Sequence, residues 1–279
     1  MRRHLFFRAA RVSYAALTLI PVSFSAASAA SFALAYPAER TKALAFWSWT
    51  GFVSLPLSVI LFSSAPFVLL FDPVDRTFFN SIQQSWARLS LLPFARISVH
   101  GPLPPKNAPV VVVSNHSSVL DPYVLMSLGF PCVFVARREI FFIPLVGWVM
   151  SLIGHLRLIR GDSQSGKSVL DQCVQKLQNA KHLSIVFFAE GSRLKKSGGN
   201  VLGDFKMGAF NVARKSDAPI VPVSISGTQC AMPAGMELEH FALDANIHVE
   251  LHAAVLPSSF EKVTQMRDRV KADVQSGLL

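Results

Sequence analysis

Val110-Val111-Val112-Val113-Ser114-Asn115-His116-Ser117-Ser118-Val119-Leu120-Asp121-Pro122 is the stretch on which the reading of this chain turns. Consecutive valines without polar alternation predict a short strand buried on both faces, the kind found in parallel sheets. The polar run that follows is then the loop leaving that strand. Val133–Ala136, Ser184–Phe188, Ile220–Ile225 and Ile247–Leu251 repeat the apolar pattern. Between them lie helical periods. Leu170, Cys173, Val174 and Leu177 fall at i, i+3, i+4 and i+7, with Ser163 or Ser165 as the expected N-cap. Strands alternating with helices predict an α/β fold, a mainly parallel central sheet flanked by helices.

Upstream the texture changes. No charge occurs from Ala43 to Phe71, in ALAFWSWTGFVSLPLSVILFSSAPFVLLF, a run longer than the roughly 20 residues that span a bilayer. Trp47 and Trp49 sit near one end, where indoles favour the interface. Pro56 and Pro66 set a kinked hairpin dipping into one leaflet against a straight span. Before Glu39, the first acid, come Arg2, Arg3, Arg8 and Arg11 and then an uncharged Ala/Ser-rich stretch. Such a start suits a secretory signal, an organelle transit segment or a first membrane helix. The expected organisation is a targeting segment or first membrane helix over 1–38, a membrane-spanning or membrane-embedded segment over 39–80, and one domain over 81–279, giving N-terminal membrane-associated helices ahead of the α/β fold.

Composition agrees. The 279 residues are 51% hydrophobic and 16% charged, mean hydropathy is +0.39 and formal net charge is +10. That combination points to a membrane and to phosphate rather than to nucleic acid, for which no zinc-finger spacing, RNA-binding signature or long Lys/Arg run is present. Cys132, Cys173 and Cys230 form no CxxC and give no disulfide framework, so all three are expected buried or half-buried. A second apolar stretch, Phe141–Leu156, is short for a span and broken by Pro144, Gly147 and Gly154. It suits a core, the wall of an acyl-chain channel, or a surface embedded in the membrane interface.

The chemistry concentrates at strand exits. His116 follows the valine strand, and histidine is the natural general base near neutral pH. A base needs its tautomer fixed, and Asp121 could do that. On a straight helix five residues rotate about 500°, which would point the two apart, so the pair requires a turn between them. Pro122 supplies a reason for one, and Asp121 as a simple helix N-cap is the competing role. The Ser184–Phe188 strand runs into Ala189-Glu190-Gly191-Ser192-Arg193, followed by Lys195 and Lys196. Glycine permits close approach, and the cations offer donors to phosphate. Gly154-His155-Leu156-Arg157-Leu158-Ile159-Arg160 sets two more cations beside the apolar stretch.

In this order these segments resemble the lysophosphatidate acyltransferase family, the bacterial and plastid type of 1-acylglycerol-3-phosphate O-acyltransferase. His116 and Asp121 match its His-x4-Asp motif. Phe188–Arg193 matches Phe-Pro-Glu-Gly-Thr-Arg with Ala189 for Pro and Ser192 for Thr. Gly154–Arg160 approximates Gly-x-x-Phe-Ile-x-Arg, with Arg157 at the aromatic position and Leu158 for Ile. Val221–Val223 matches its Val-Pro-Val strand, and Phe205–Phe210 looks like the segment before it. The resemblance spans about Trp86 to Val255. It implies acyl transfer from acyl-CoA or acyl carrier protein to the sn-2 hydroxyl of lysophosphatidic acid, giving phosphatidic acid. His116 and Asp121 would be catalytic. Glu190, Gly191, Ser192 and Arg193 would bind the acceptor, and Arg160 its phosphate. No metal or prosthetic group is implied, and the partners are membrane lipid and the two substrates. The implied location is a membrane, of a plastid-like organelle if 1–38 is a transit segment. Other readings stay open: another acceptor such as glycerol 3-phosphate, a hydrolase using Ser114, Ser117 or Ser118 as nucleophile, or a non-enzymatic scaffold that binds anionic lipid.

Overall fold

In the computed structural model, residues 38–105, 108–159, 161–193, 202–243 and 245–278 are described. The targeting segment expected over 1–38 therefore lies, up to residue 37, outside the described residues, as do Arg160, Lys195 and Lys196. The chain opens on α1 (Ala38–Phe71) and α2 (Thr77–Leu91). It continues through β1 (Ala95–His100), β2 (Val110–Ser114), α3 (Leu120–Ser127), β3 (Cys132–Arg137), a 3-10 turn (Arg138–Phe142) and α4 (Val146–Ile153). Then come β4 (Leu156–Leu158), α5 (Ser163–Asn179), β5 (Ser184–Phe188), α6 (Gly208–Ser216), β6 (Ile220–Ser226), α7 (Thr228–Ala231), β7 (Ala245–Leu251), a second 3-10 turn (Pro257–Ser259) and α8 (Val263–Ser276).

Among the described residues the strands make one seven-stranded sheet in the order β1-β7-β6-β2-β5-β3-β4. All neighbours run parallel except β6 and β7, which are antiparallel. Every residue of β2 and β6 is buried, because those strands lie inside the sheet with helices on both faces. Val110 and Val112 face one core with Leu120, Val124 and Phe130; Val111 and Val113 face the other with Cys173, Ile185 and Val270. The valine run and the four other predicted strands are thus where the pattern put them. β1 and β4 had no such signal: β1 is an edge strand with mostly exposed residues, and β4 has only three residues. The cap of α5 differs from expectation. Asp162 fills it, its side chain accepting from the backbone N–H of Gln164 and Ser165 at 2.9 and 3.2 Å. A carboxylate at a helix N-terminus also complements the helix dipole, which a serine does not. Cys132 and Cys173 are buried, whereas Cys230 is exposed on the short α7.

α1 is one continuous helix despite Pro56 and Pro66, and it is long and apolar enough to cross a membrane. A narrow stripe packs on the domain. Phe46 stacks on Phe241 at 5.0 Å between centroids and meets Phe94 edge-on at 5.4 Å. Further along, Leu61 and Val68 join the core beside Phe79. α2 runs back along α1 as the second arm of a hairpin. Trp49 Nε1 donates to Leu89 O at 2.8 Å and Trp86 Nε1 to Ser54 Oγ at 2.8 Å, which ties the arms together. The rest of α1, including Phe52, Val59, Phe67, Leu70 and Phe71, faces away from the protein.

α2 also completes the sheet. β3 pairs with β5 over Cys132–Phe134 and with β4 only over Val135–Arg137, so the β4-side groups of its first half have no strand partner. Asn80 Oδ1 accepts from Cys132 N at 2.9 Å, Gln83 Nε2 donates to Cys132 O at 2.9 Å, and His155 Nδ1 accepts from Phe134 N at 2.9 Å. Gln83 Oε1 lies 2.8 Å from His155 Nε2, which must then carry the proton of a neutral imidazole. Burial, with Lys176 adding to it, pushes the His155 pKa down to about 3. Between that value and the ordinary 6.5 the unfolded chain binds a proton that the folded chain refuses. Stability therefore falls as pH drops through this window, at a limiting rate of about 1.4 kcal/mol per pH unit. A His155→Gln variant is expected to melt lower than the parent near pH 8 but to lose fewer degrees as pH falls toward 4.5. Parallel Tm–pH curves would contradict this account.

Candidate active site

β6, β2 and β5 are adjacent in the centre of the sheet and parallel, so their carboxyl ends open side by side. His116 follows β2, Glu190 to Arg193 follow β5, and Thr228 follows β6. Ligand sites of open α/β sheets form at such strand ends.

The chain between β2 and α3 turns as the His116–Asp121 pair requires. Asn115 holds the exit of β2 against β6: its Nδ2 donates to Ile225 O and its Oδ1 accepts from Ile225 N, both at 2.8 Å. The side chain thereby continues the strand pairing by one more rung. Residues 115–119 are not helical, and Asp121 lies in the first turn of α3, fully buried. Its Oδ2 lies 2.8 Å from His116 Nδ1 and accepts from the backbone N–H of Ser117 at 2.7 Å and of Ser118 at 2.9 Å. Its Oδ1 accepts from Thr228 Oγ1 at 2.6 Å. The N-cap position itself belongs to Val119.

A carboxylate can only accept, so His116 Nδ1 carries its proton toward Asp121 and Nε2 keeps a free lone pair. The His116 side chain is 17% exposed, against 0% for Asp121. One face of the imidazole stacks on Phe188, with centroids 4.0 Å apart and planes 16° apart. The ring is held by its own backbone as well: His116 N donates to Glu190 Oε1 at 3.1 Å, and Gly203 N donates to Glu190 Oε2 at 2.8 Å. Glu190 is buried, and burial raises its pKa against the opposing pull of those two amides. It clamps the loops after β2 and β5 and the 202–205 segment to one another.

Gly191 has φ +71°, the left-handed region that favours glycine, with the flexible end of Lys206 packed over it. Ser192 is exposed. Arg193 Nη1 pairs with Glu237 Oε1 on the loop between α7 and β7. Burial pushes Glu237 up, but backbone amides and Arg193 outweigh it and its pKa ends lowered. The same loop is tied to α1, since Trp47 Nε1 donates to Glu237 O at 2.7 Å. Arg157 turns away from these residues. Its guanidinium lies 4.7 Å from the centroid of the Phe141 ring and donates to Ser151 Oγ at 2.5 Å.

The structure thus brings His116, Asp121, Glu190, Gly191 and Arg193 together; Arg160 is outside the described residues. Glu237 carries no sequence signal of its own, whereas Asn115 and Thr228 have a weak one, an Asn directly after a buried strand and a Thr after an exit Gly. The hydroxyls of Ser114, Ser117 and Ser118 contact Asn115 Oδ1, Thr228 Oγ1 and Met232 O respectively. None of these contacts reaches the His116 ring, which is not how a serine nucleophile and its base are arranged. Among the described residues no group of three or more His, Cys, Asp or Glu side chains could hold a metal ion.

Comparison with known proteins identifies the family. Residues 96–226 match the Acyltransferase family model. The chain is 40% identical over 220 residues to the chloroplastic 1-acyl-sn-glycerol-3-phosphate acyltransferase of Arabidopsis thaliana, covering 77% of this chain and 60% of that protein. It is 35% identical over 273 residues to the 1-acyl-sn-glycerol-3-phosphate acyltransferase of Chlamydomonas reinhardtii, covering 97% and 79%. Against the Arabidopsis and Brassica napus relatives it spans about 60% of their length. The crystal structure of the 1-acyl-sn-glycerophosphate acyltransferase of Thermotoga maritima has the same fold, with TM-score 0.63 and 23% identity over 82% of this chain and 95% of that one. On these grounds the chain belongs to the family of the 1-acyl-sn-glycerol-3-phosphate acyltransferases.

Proposed function

We propose that this chain transfers a fatty acyl group from acyl-CoA or acyl carrier protein to the sn-2 hydroxyl of 1-acylglycerol 3-phosphate, giving phosphatidic acid. The observation that carries this reading is the His116–Asp121 pair, with Nδ1 engaged and Nε2 without a partner among the described residues, at the mouth of three parallel strands. Nε2 takes the hydroxyl proton as that oxygen attacks the thioester carbonyl. The new ester bond forms, the C–S bond breaks, and the leaving thiolate takes the proton back from His116. Asp121 stabilises the transient imidazolium. The transfer is direct and asks for no enzyme nucleophile, metal or prosthetic group. The relatives' names support the acceptor. Glycerol 3-phosphate or another lysophospholipid is the competing acceptor, and an acceptor panel separates them.

Arg193 is the phosphate ligand in this reading, and Arg160 is the second cation that the family resemblance assigns to the phosphate. The Glu237 carboxylate occupies Arg193 when no substrate is bound and gives way to the phosphate dianion. Glu190 acts through the backbone of His116, while Gly191 and Ser192 keep the approach to Arg193 open. The exposed side of α1 lies against a leaflet, and its stripe of domain contacts from Ala43 to Val68 favours a helix lying along the membrane over one crossing it. The chloroplastic relatives support an organelle membrane of the plastid type.

With labelled oleoyl-CoA and lysophosphatidic acid, the parent protein is expected to form phosphatidic acid and His116→Ala to lose at least about a hundredfold in kcat with an unchanged far-UV spectrum. Equal rates would remove His116 from the mechanism. Arg193→Ala is expected to raise KM for the acceptor by about thirtyfold. Glu237→Gln should lower that KM by about threefold, the scale of a half-exposed ion pair. A rise in KM for Glu237→Gln would contradict its role as a displaced partner. Thr228→Val is expected to lower kcat about tenfold, the loss of one charge-assisted hydrogen bond, with acceptor KM unchanged and with Thr228→Ser restoring the rate. Failure of serine to rescue would mean that the hydroxyl bonded to Asp121 is not what matters.

A further inference from the structure

The second apolar stretch of the sequence is not a core helix. In α4 only Gly147 and Ile153 are buried, while Phe142, Val146 and Trp148 are 68%, 45% and 61% exposed. An accidental surface residue would be free to move, but this segment is rigidly built. Val146 N donates to Pro144 O at 2.8 Å across Leu145, which has φ 66° and ψ −56°. That is a tight three-residue turn in a region that L residues with large side chains avoid, at a cost of about 1–3 kcal/mol. Gly147 sits so close to Phe141 that a Cβ would lie 2.0 Å from its carbonyl oxygen. The turn and the glycine together hold Phe142 and Trp148 outward, against the hydrophobic effect in water.

Two further observations identify what covers them. First, the patch continues α1. Leu61 and Val68 of α1 share a buried cluster with Ile153, against which Val149 and Leu152 of α4 pack. The two helices thus pack on one another, and each carries exposed apolar residues, Phe67, Leu70 and Phe71 on α1 and Val146 and Trp148 on α4. Second, the surrounding charge is mainly cationic. Arg137 and Arg138 are exposed beside the patch with one acid, Glu139, between them and α4. The Arg138 guanidinium lies 5.2 Å from the centroid of the Phe142 ring, and that of Arg157 lies 4.7 Å from Phe141. Aromatic rings with arginines around them, an indole among them, match the chemistry of a bilayer interface with anionic headgroups.

We propose that the Arg138–Ile153 segment is a second membrane-contacting element, which inserts Phe142, Val146 and Trp148 into the interface of an anionic leaflet while Arg137, Arg138 and Arg157 meet its headgroups. This rests on the membrane reading of α1 and goes beyond it. Contact at two separated elements fixes the tilt of the domain on the leaflet, whereas α1 alone would leave it free to roll about the helix axis.

The test is an environment-sensitive NBD label on the full-length protein in a Cys230→Ser background, placed in turn at Trp148→Cys, Phe62→Cys on α1 and Lys215→Cys on α6. Vesicles are phosphatidylcholine, with or without phosphatidylglycerol. The label at 148 and that at 62 are expected to brighten roughly twofold or more on vesicles, as a fluorophore leaving water does. The label at 215 should stay unchanged, and the response at 148 should increase with phosphatidylglycerol. A response at 62 without one at 148 overturns this inference and leaves the membrane reading of α1 standing. No response at either position overturns both. Brightening at 148 with rising protein concentration and no vesicles means that a second copy covers the patch, which also overturns it.

Discussion

A carboxylate taken wholly out of water has to be surrounded by donors, and Asp121 is such a group. Its requirement organises the site. The two backbone amides of Ser117 and Ser118 can reach one oxygen only if the chain after β2 doubles back on α3. That bend carries His116 round so that Nδ1 reaches the same oxygen. The other oxygen needs its own donor, and Thr228 supplies it from the far side of β2, at the end of β6. One buried charge thus joins two strand exits and sets the proton position on the histidine. Neutral residues could fill the space, but none would accept from all four donors at once.

The supports around Asp121 extend the same logic outward. Glu190 joins the backbone of His116 to Gly203, Asn115 joins the end of β2 to β6, and Phe188 limits the ring from one face. Together they hold the imidazole by its backbone, its Nδ1 and one face, which leaves Nε2 for the proposed role of base. Arg193 instead pairs, among the described residues, with the partly exposed carboxylate of Glu237. The contrast suits the two proposed tasks, since a base gains from rigidity and an anion site must exchange one partner for another.

Much of this was legible in the sequence because it rests on local pattern. Four consecutive valines are typical of a strand buried on both faces, and five apolar runs separated by helical periods predict a parallel sheet before any contact is known. His116 and Glu190 follow from their positions at strand exits. What was not legible depends on pairing across the fold. β1 is an exposed edge, and β4 is too short to carry a period. Thr228 and Glu237 matter through partners 107 and 44 residues away. Arg157, one of the two cations beside the apolar stretch, is held by the ring of Phe141 and the Ser151 hydroxyl, neither of which its sequence neighbourhood singles out. His155, in the same segment, sits in the core because an incomplete strand edge needed an acceptor.

The claim on which the account depends is that Asp121 holds His116 as the Nδ1–H tautomer, with Nε2 bare. It is tested most directly by the nitrogen-15 spectrum of protein labelled in its histidines, at a pH where the imidazole is neutral, with the His116 signals assigned by their loss in His116→Ala. The account predicts a protonated, pyrrole-like Nδ1 and an unprotonated, pyridine-like Nε2, and a loss of that pattern in Asp121→Asn. A proton resident on Nε2 in the parent protein would contradict it.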